Sequence, residues 1–126
     1  MNVVDSCGWL EFLAAGPNAD FFSEPLTDTT TLVVPTISVY EVFKRVLQQR
    51  GDGDALQAVA LMQQGSIIDL DAGHAIAAAK LSVDLQLPMA DAIMLAVARA
   101  HGATLWTQDS DFESVDGVRY VAARPA

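Results

Sequence analysis

Cysteine and basic residues are both scarce in this sequence. The single cysteine among 126 residues, Cys7, excludes an intrachain disulfide, and no cluster of Cys and His suggests zinc. Lysine and arginine total seven against sixteen acids, a formal charge of −9. Such a chain does not hold nucleic acid by diffuse attraction alone, because phosphate contacts need clustered bases. No apolar run reaches the ~18 residues of a membrane span. Met1-Asn2-Val3-Val4-Asp5 lacks a basic stretch and carries an early acid, unlike a secretion signal. Charged residues make up only 18% and the hydrophobic set 52%, which excludes disorder. The expectation is one domain over residues 1–126, soluble and cytoplasmic, with no membrane partner and with a core covering roughly two-thirds of the unfolded surface.

Short β-branched runs alternate with helical segments along the chain. Residues 1–5 read as a strand ended at Ser6, which caps a helix to about Ala15. Gly16-Pro17-Asn18 breaks it, and Asn18 starts a short helix before Pro25. Residues 31–35 form a second strand, and Thr36 caps a helix to about Gln49. Gly51-Asp52-Gly53 is a turn before a helix over 54–64. A third strand covers 66–70, followed by a helix over 71–86. Pro88 opens a further helix that stops at Gly102. Residues 103–107 form a fourth strand, Gln108 to Asp111 a loop, and 118–121 a weak last strand. This pattern predicts an α/β fold, with a mostly parallel sheet between two helical layers. Active sites in such folds lie beyond the carboxyl ends of the strands.

Four acids fall near those ends. Asp5 ends the first strand, Asp109 follows the fourth, Asp91 lies in the first turn of the helix after Pro88, and Glu41 lies within the helix after the second strand. Each has an ordinary explanation. Asp5 caps a helix, Asp91 suits a helix N-terminus, Glu41 pairs with Arg45 one turn on, and Asp109 and Asp111 form a turn. If all four converge, they repel strongly without a cation. Oxygen ligands without Cys or clustered His select Mg²⁺ or Mn²⁺.

Taken in order, these segments resemble the PIN-domain nucleases. The carriers are Asp5 after a short N-terminal strand, Val39-Tyr40-Glu41-Val42, Ala90-Asp91-Ala92-Ile93 and Thr107-Gln108-Asp109-Ser110-Asp111-Phe112. Length and spacing are similar to the small bacterial toxins of the VapC type. The resemblance implies a three-layer α/β/α sandwich and an endoribonuclease dependent on Mg²⁺ or Mn²⁺. In it, Asp5, Glu41, Asp91 and Asp109 are the catalytic and metal-binding acids, with Asp111 as an additional acid. Ser6 and Thr107 orient carboxylates or water. Metal-activated water attacks the phosphorus of RNA, such as tRNA or rRNA, leaving a 5′-phosphate and a 3′-hydroxyl. It also implies a homodimer and a cognate antitoxin covering the active-site groove.

Lys44, Arg45 and Arg50 concentrate three of the seven bases beside Glu41. Lys44 and Arg45 either hold RNA phosphates or belong to a solvated helix face. Trp9, Phe12, Leu13, Phe21, Phe22, Phe43 and Leu47 read mainly as core, although an antitoxin helix needs some of them exposed. His74 and His101 read as structural, and Cys7 as packed without a base to activate it. A phosphoacceptor receiver domain fits poorly, because Asp5 stands alone and the only lysines, Lys44 and Lys80, lie on helices. A stand-alone RNA-processing PIN nuclease and a catalytically idle binding module are the alternatives to a toxin.

Overall fold

Short apolar strands alternate with helices in the computed structural model, which describes residues 1–125; Ala126, the end of the expected domain span, lies outside them. The strands are β1 (Asn2–Val4), β2 (Val33–Pro35), β3 (Ser66–Ile68), β4 (Thr104–Thr107) and β5 (Val118–Tyr120). The helices are α1 (Ser6–Leu13), α2 (Ala19–Thr27), α3 (Thr36–Arg50), α4 (Asp52–Met62), α5 (Ala72–Leu85) and α6 (Met89–Ala100). β1 pairs with β4, β4 with β5 and β2 with β3, all in parallel, and a parallel bridge from Asn2 to Leu32 joins the two groups. The spatial order is therefore β3-β2-β1-β4-β5. The chain moves away from β1 on one side and later returns on its other side. The crevice of such a sheet opens where the order switches, here between β1 and β4.

Strand alternation defines the layers. Val3, Val33 and Leu105 pack with Ala78 of α5 and Leu95 of α6, while Val4, Val34 and Trp106 pack with Trp9, Phe22, Val42 and Met62 of α1 to α4. Both faces are covered, which gives the expected three-layer sandwich around a parallel sheet. α6 is apolar on every side, and all seven residues from Ala92 to Ala98 are buried. Gly102, at φ +61°, supplies the left-handed residue that ends it.

The differences from the sequence reading are local. Asp5, not Ser6, occupies the N-cap position of α1, and it makes no side-chain capping hydrogen bond. Ser6 is helical and its hydroxyl turns to Glu41. α2 runs through Pro25 to Thr27, since a proline whose ring packs into the core costs one helical bond and not the helix. Asp52 and Gly53 belong to the first turn of α4, where the two acids Asp52 and Asp54 suit the helix dipole. Pro35, not Thr36, precedes α3, and the Thr36 hydroxyl accepts the Leu70 amide at 3.4 Å. Of the seven aromatic and leucine side chains read as core, Trp9 and Phe22 are fully buried and Leu47 is exposed.

α1 meets β1 and α2 at Gly8. A Cβ there would sit 2.5 Å from the Phe22 ring and 2.7 Å from Val4. Gly8→Ala should therefore lower stability by about 1–3 kcal/mol through overpacking. Gly53→Ala, in open space on a helix, should raise it by roughly 0.5 kcal/mol. Urea unfolding of the two variants measures the contrast.

Candidate metal centre

Register places the first acid. Val4 lies opposite Trp106, and the Asp5 amide donates to the Trp106 carbonyl at 2.9 Å, so Asp5 and Thr107 continue the ladder side by side. Alternation then turns both side chains toward the face of Val3 and Leu105, on which α6 packs. The buried Thr107 hydroxyl donates to Asp5 Oδ2 at 2.8 Å and accepts the Asp109 amide at 2.9 Å. One threonine thus fixes a carboxylate and the backbone that carries the next acid. The Asp111 amide donates to Asp109 Oδ1 at 2.9 Å, holding that side chain from the other direction. Asp91 enters from the first turn of α6, whose buried body leaves it little freedom to withdraw.

Asp5, Asp91 and Asp109 each present a carboxylate oxygen within 4.8 Å of the others. Glu41 and Asp111 are not members of that compact group among the described residues. Glu41 is joined to it indirectly: Ser6, next in sequence to Asp5, donates its hydroxyl to Glu41 Oε1 at 2.8 Å. The Glu41–Arg45 ion pair, the ordinary alternative for Glu41, is not formed. Asp111 is exposed and contributes its amide to Asp109.

The electrostatics follow from this crowding. Burial pushes the Asp5 carboxyl above its ordinary range, against the pull of hydrogen bonds from Thr107 and Cys7. Burial, followed by the charges of Asp5 and Asp109, pushes Asp91 up to about 8. Three carboxylates so close are compatible with one proton or with a cation. All the donors are hard oxygens, which suits Mg²⁺ or Mn²⁺. Cys7 is outside the compact group, and burial followed by the Asp5 charge pushes its thiol up to about 12.

Two contributions escaped the sequence reading. The Cys7 thiol donates to Asp5 Oδ2 at 3.4 Å and lies 3.5 Å from the Thr107 hydroxyl, although the two-residue spacing from Asp5 was visible. The buried Asn18 amide donates to Gln108 at 2.9 Å and to the Ala122 carbonyl at 3.0 Å, and its oxygen accepts from Arg124 at 2.9 Å. Nothing local in the sequence marks that long-range tie. His74 and His101 stand apart: His101 Nδ1 lies 2.9 Å from the Val97 carbonyl, and the His74 amide bonds the α5 cap Asp71.

The sign of the pH response follows from Asp91. Its folded value lies above the unfolded 3.8, so the proton's stabilisation is complete below 3.8 and lost as pH rises to about 8. The metal-free protein should therefore lose thermal stability across that window, and Mn²⁺ should restore it near pH 8 by displacing the proton. Asp91→Asn should raise the metal-free Tm at pH 8 by roughly 4 °C, about 1 kcal/mol after allowance for solvent screening. It should also lose the rise that Mn²⁺ gives. Differential scanning calorimetry at several pH values, with EDTA or Mn²⁺, measures both effects.

Comparison with known proteins is consistent with this geometry. Solved structures with the same fold include a toxin–antitoxin complex from Klebsiella pneumoniae, at 20% identity and TM-score 0.81, covering 94% of this chain and 96% of that one. VapC20 of Mycobacterium tuberculosis, a Sarcin-Ricin loop cleaving toxin, shares 18% identity at TM-score 0.77, covering 99% and 100%. DNA-bound VapBC of Salmonella typhimurium shares 15% at TM-score 0.73, covering 97% and 98%. No curated protein sequence matches. The family model of the PIN domain matches residues 3–118, from β1 into β5, and the chain belongs to the PIN domain family.

Proposed function

We propose that this protein is a VapC-type toxin, an endoribonuclease that uses Mg²⁺ or Mn²⁺ held by Asp5, Asp91 and Asp109, with Glu41 and Asp111 at the margin of the site. The observation that carries this reading is the meeting of three carboxylates within 4.8 Å at the switch point of a parallel sheet. A bound divalent ion would supply charge neutralisation at a phosphodiester and lower the pKa of water. The protein's own part is positional. Thr107 aims Asp5 and anchors the Asp109 loop, Ser6 holds Glu41, and α6 delivers Asp91. Lys44 and Arg45, both exposed one turn beyond Glu41, hold the RNA backbone.

Three further elements belong to the same proposal. The first is a cognate antitoxin. A groove of about 270 Å³ between α1, α3 and α4, lined by Leu10, Leu13, Val46 and Leu61, suits an amphipathic segment of such a partner. The second is a homodimer. Ile76 and Val83, two turns apart on α5, and Met89 at the start of α6 are apolar side chains 61 to 79% exposed, available for such a contact. The third is a cytoplasmic location; no single helix among the described residues is long and apolar enough to cross a membrane.

The deciding experiment is incubation of purified, partner-free protein with a mixed tRNA and rRNA pool. Discrete cuts are expected with Mn²⁺ or Mg²⁺ and none with EDTA. Asp91→Asn should reduce the rate on the order of 100-fold or more, the scale on which loss of one preorganised electrostatic group acts. Cutting that survives in the variant would sink the proposed site. Val83→Asp should shift the sedimentation profile toward monomer; an unchanged profile places any dimer contact elsewhere.

A further inference from the structure

The face of α3 beside the acid cluster has a feature that the metal chemistry does not use. Tyr40, next in sequence to Glu41, is 60% exposed, unusual for a side chain that ordinarily buries most of its ring. It borders a groove of about 350 Å³ lined also by Ser6, Glu41, Lys44, Arg45 and Gln48. The Lys44 ammonium lies 5.7 Å from the centre of the Tyr40 ring. In a chain with sixteen acids and seven bases, neither Lys44 nor Arg45 has a carboxylate within 4.0 Å among the described residues. The nearest acid in the groove, Glu41, is turned toward Ser6. An exposed aromatic ring with Lys44 over one face, two cations without a carboxylate partner and a groove that also holds Glu41 and Ser6, the neighbour of Asp5, therefore share one helix surface.

We infer that this groove binds one unpaired nucleotide flanking the scissile bond, its base stacked on Tyr40 and its phosphate held by Lys44 and Arg45. The inference rests on the nuclease reading and specifies how that site receives its substrate. A flat ring accepts the face of any base, so Tyr40 selects for an unstacked nucleotide and not for a sequence. Base-paired RNA keeps its bases within the helix and cannot offer that face. The cations supply the anchoring that the net charge denies the rest of the surface. A protein segment on the same face would be read by side-chain complementarity and would need no exposed base.

The test uses the full chain carrying Asp91→Asn, in EDTA, so that nothing is cut. The probe is a short single-stranded RNA with one 2-aminopurine, scanned along the strand. Fluorescence anisotropy gives the affinity, and 2-aminopurine quenching reports stacking. Tyr40→Ala should weaken binding about tenfold, the scale of one base stacked on an aromatic ring, and abolish the quench. Tyr40→Phe and Tyr40→Trp should retain both. The same strand annealed to its complement should bind at the Tyr40→Ala level. Because the ring is exposed, Tm should be unchanged in all three variants. Unchanged affinity in Tyr40→Ala, or a quench that persists there, overturns the inference, as does failure to bind RNA at all. The two readings also fail separately. Metal-dependent cutting with a Tyr40-independent affinity removes only the stacking site. Tyr40-dependent quenching without cutting in any metal removes only the nuclease.

Discussion

Three carboxylates with oxygens within 4.8 Å of one another are the constraint on which this structure turns. Two unit charges ~4 Å apart repel by about 4 kcal/mol at an effective dielectric of 20, and three carboxylates would form three pairs of this kind if all were ionised. In a flexible loop the side chains would swing apart. Here their carriers resist. Asp5 and Thr107 are locked by the β1–β4 ladder, and Asp91 rides on a helix buried on all sides. The Asp109 loop is tied by Thr107 and by the Asp111 amide. The scaffold spends its rigidity on keeping like charges together, and a proton on Asp91 is the relief available without a cation. A divalent ion bound there would replace that proton with two positive charges, which would make metal binding, stability and pH one linked problem.

Much of the fold was legible because its elements are short and sharply punctuated. Strands such as Thr31-Leu32-Val33-Val34-Pro35 are apolar throughout, the signature of a parallel strand covered on both faces, and the structure buries Leu32 to Pro35. Gly102 ended α6 where expected because a left-handed residue is needed there. Errors fell where tertiary contact outweighs local preference. Pro25 stays in α2 because its ring is buried beside Leu26 and Phe22. Ser6 forgoes a capping role because Glu41, thirty-five residues away, offers a carboxylate. The Asn18 link to Gln108 and Arg124 joins positions about ninety and a hundred residues apart and leaves no periodic trace.

The charge balance separates long-range from local electrostatics. A net charge of −9 repels a polyanion at a distance, and screening at physiological salt confines that repulsion to about 8 Å. Inside that range the decisive quantity is which charges are uncommitted. Lys44 and Arg45 face solvent without carboxylate partners in a groove that Glu41 also lines, so a phosphate placed there would feel their attraction at short range. On the proposed function, an acidic protein would bind RNA under these conditions only at a site where metal and bases act together. Such a site would favour particular exposed nucleotides over general degradation.

The acids of the centre also show why the set was more informative than its members. Asp5 occupies an N-cap position, Asp91 a helix first turn, and Asp109 accepts the amide two residues on, as turn-forming aspartates do. Each position has an ordinary local explanation, although the Asp5 carboxylate accepts from Thr107 and Cys7 and does not cap α1, so inspection of single residues returns three ordinary structural roles. Their incompatibility exists only in three dimensions, where the sheet order and the placement of α6 bring them to one crevice. A protein selected for stability alone would separate them, since each carboxylate raises the cost of ionising the next. The fold instead holds them together through the buried Thr107 hydroxyl, the Cys7 thiol and the Asp111 amide, leaving a less stable cluster in the absence of a cation.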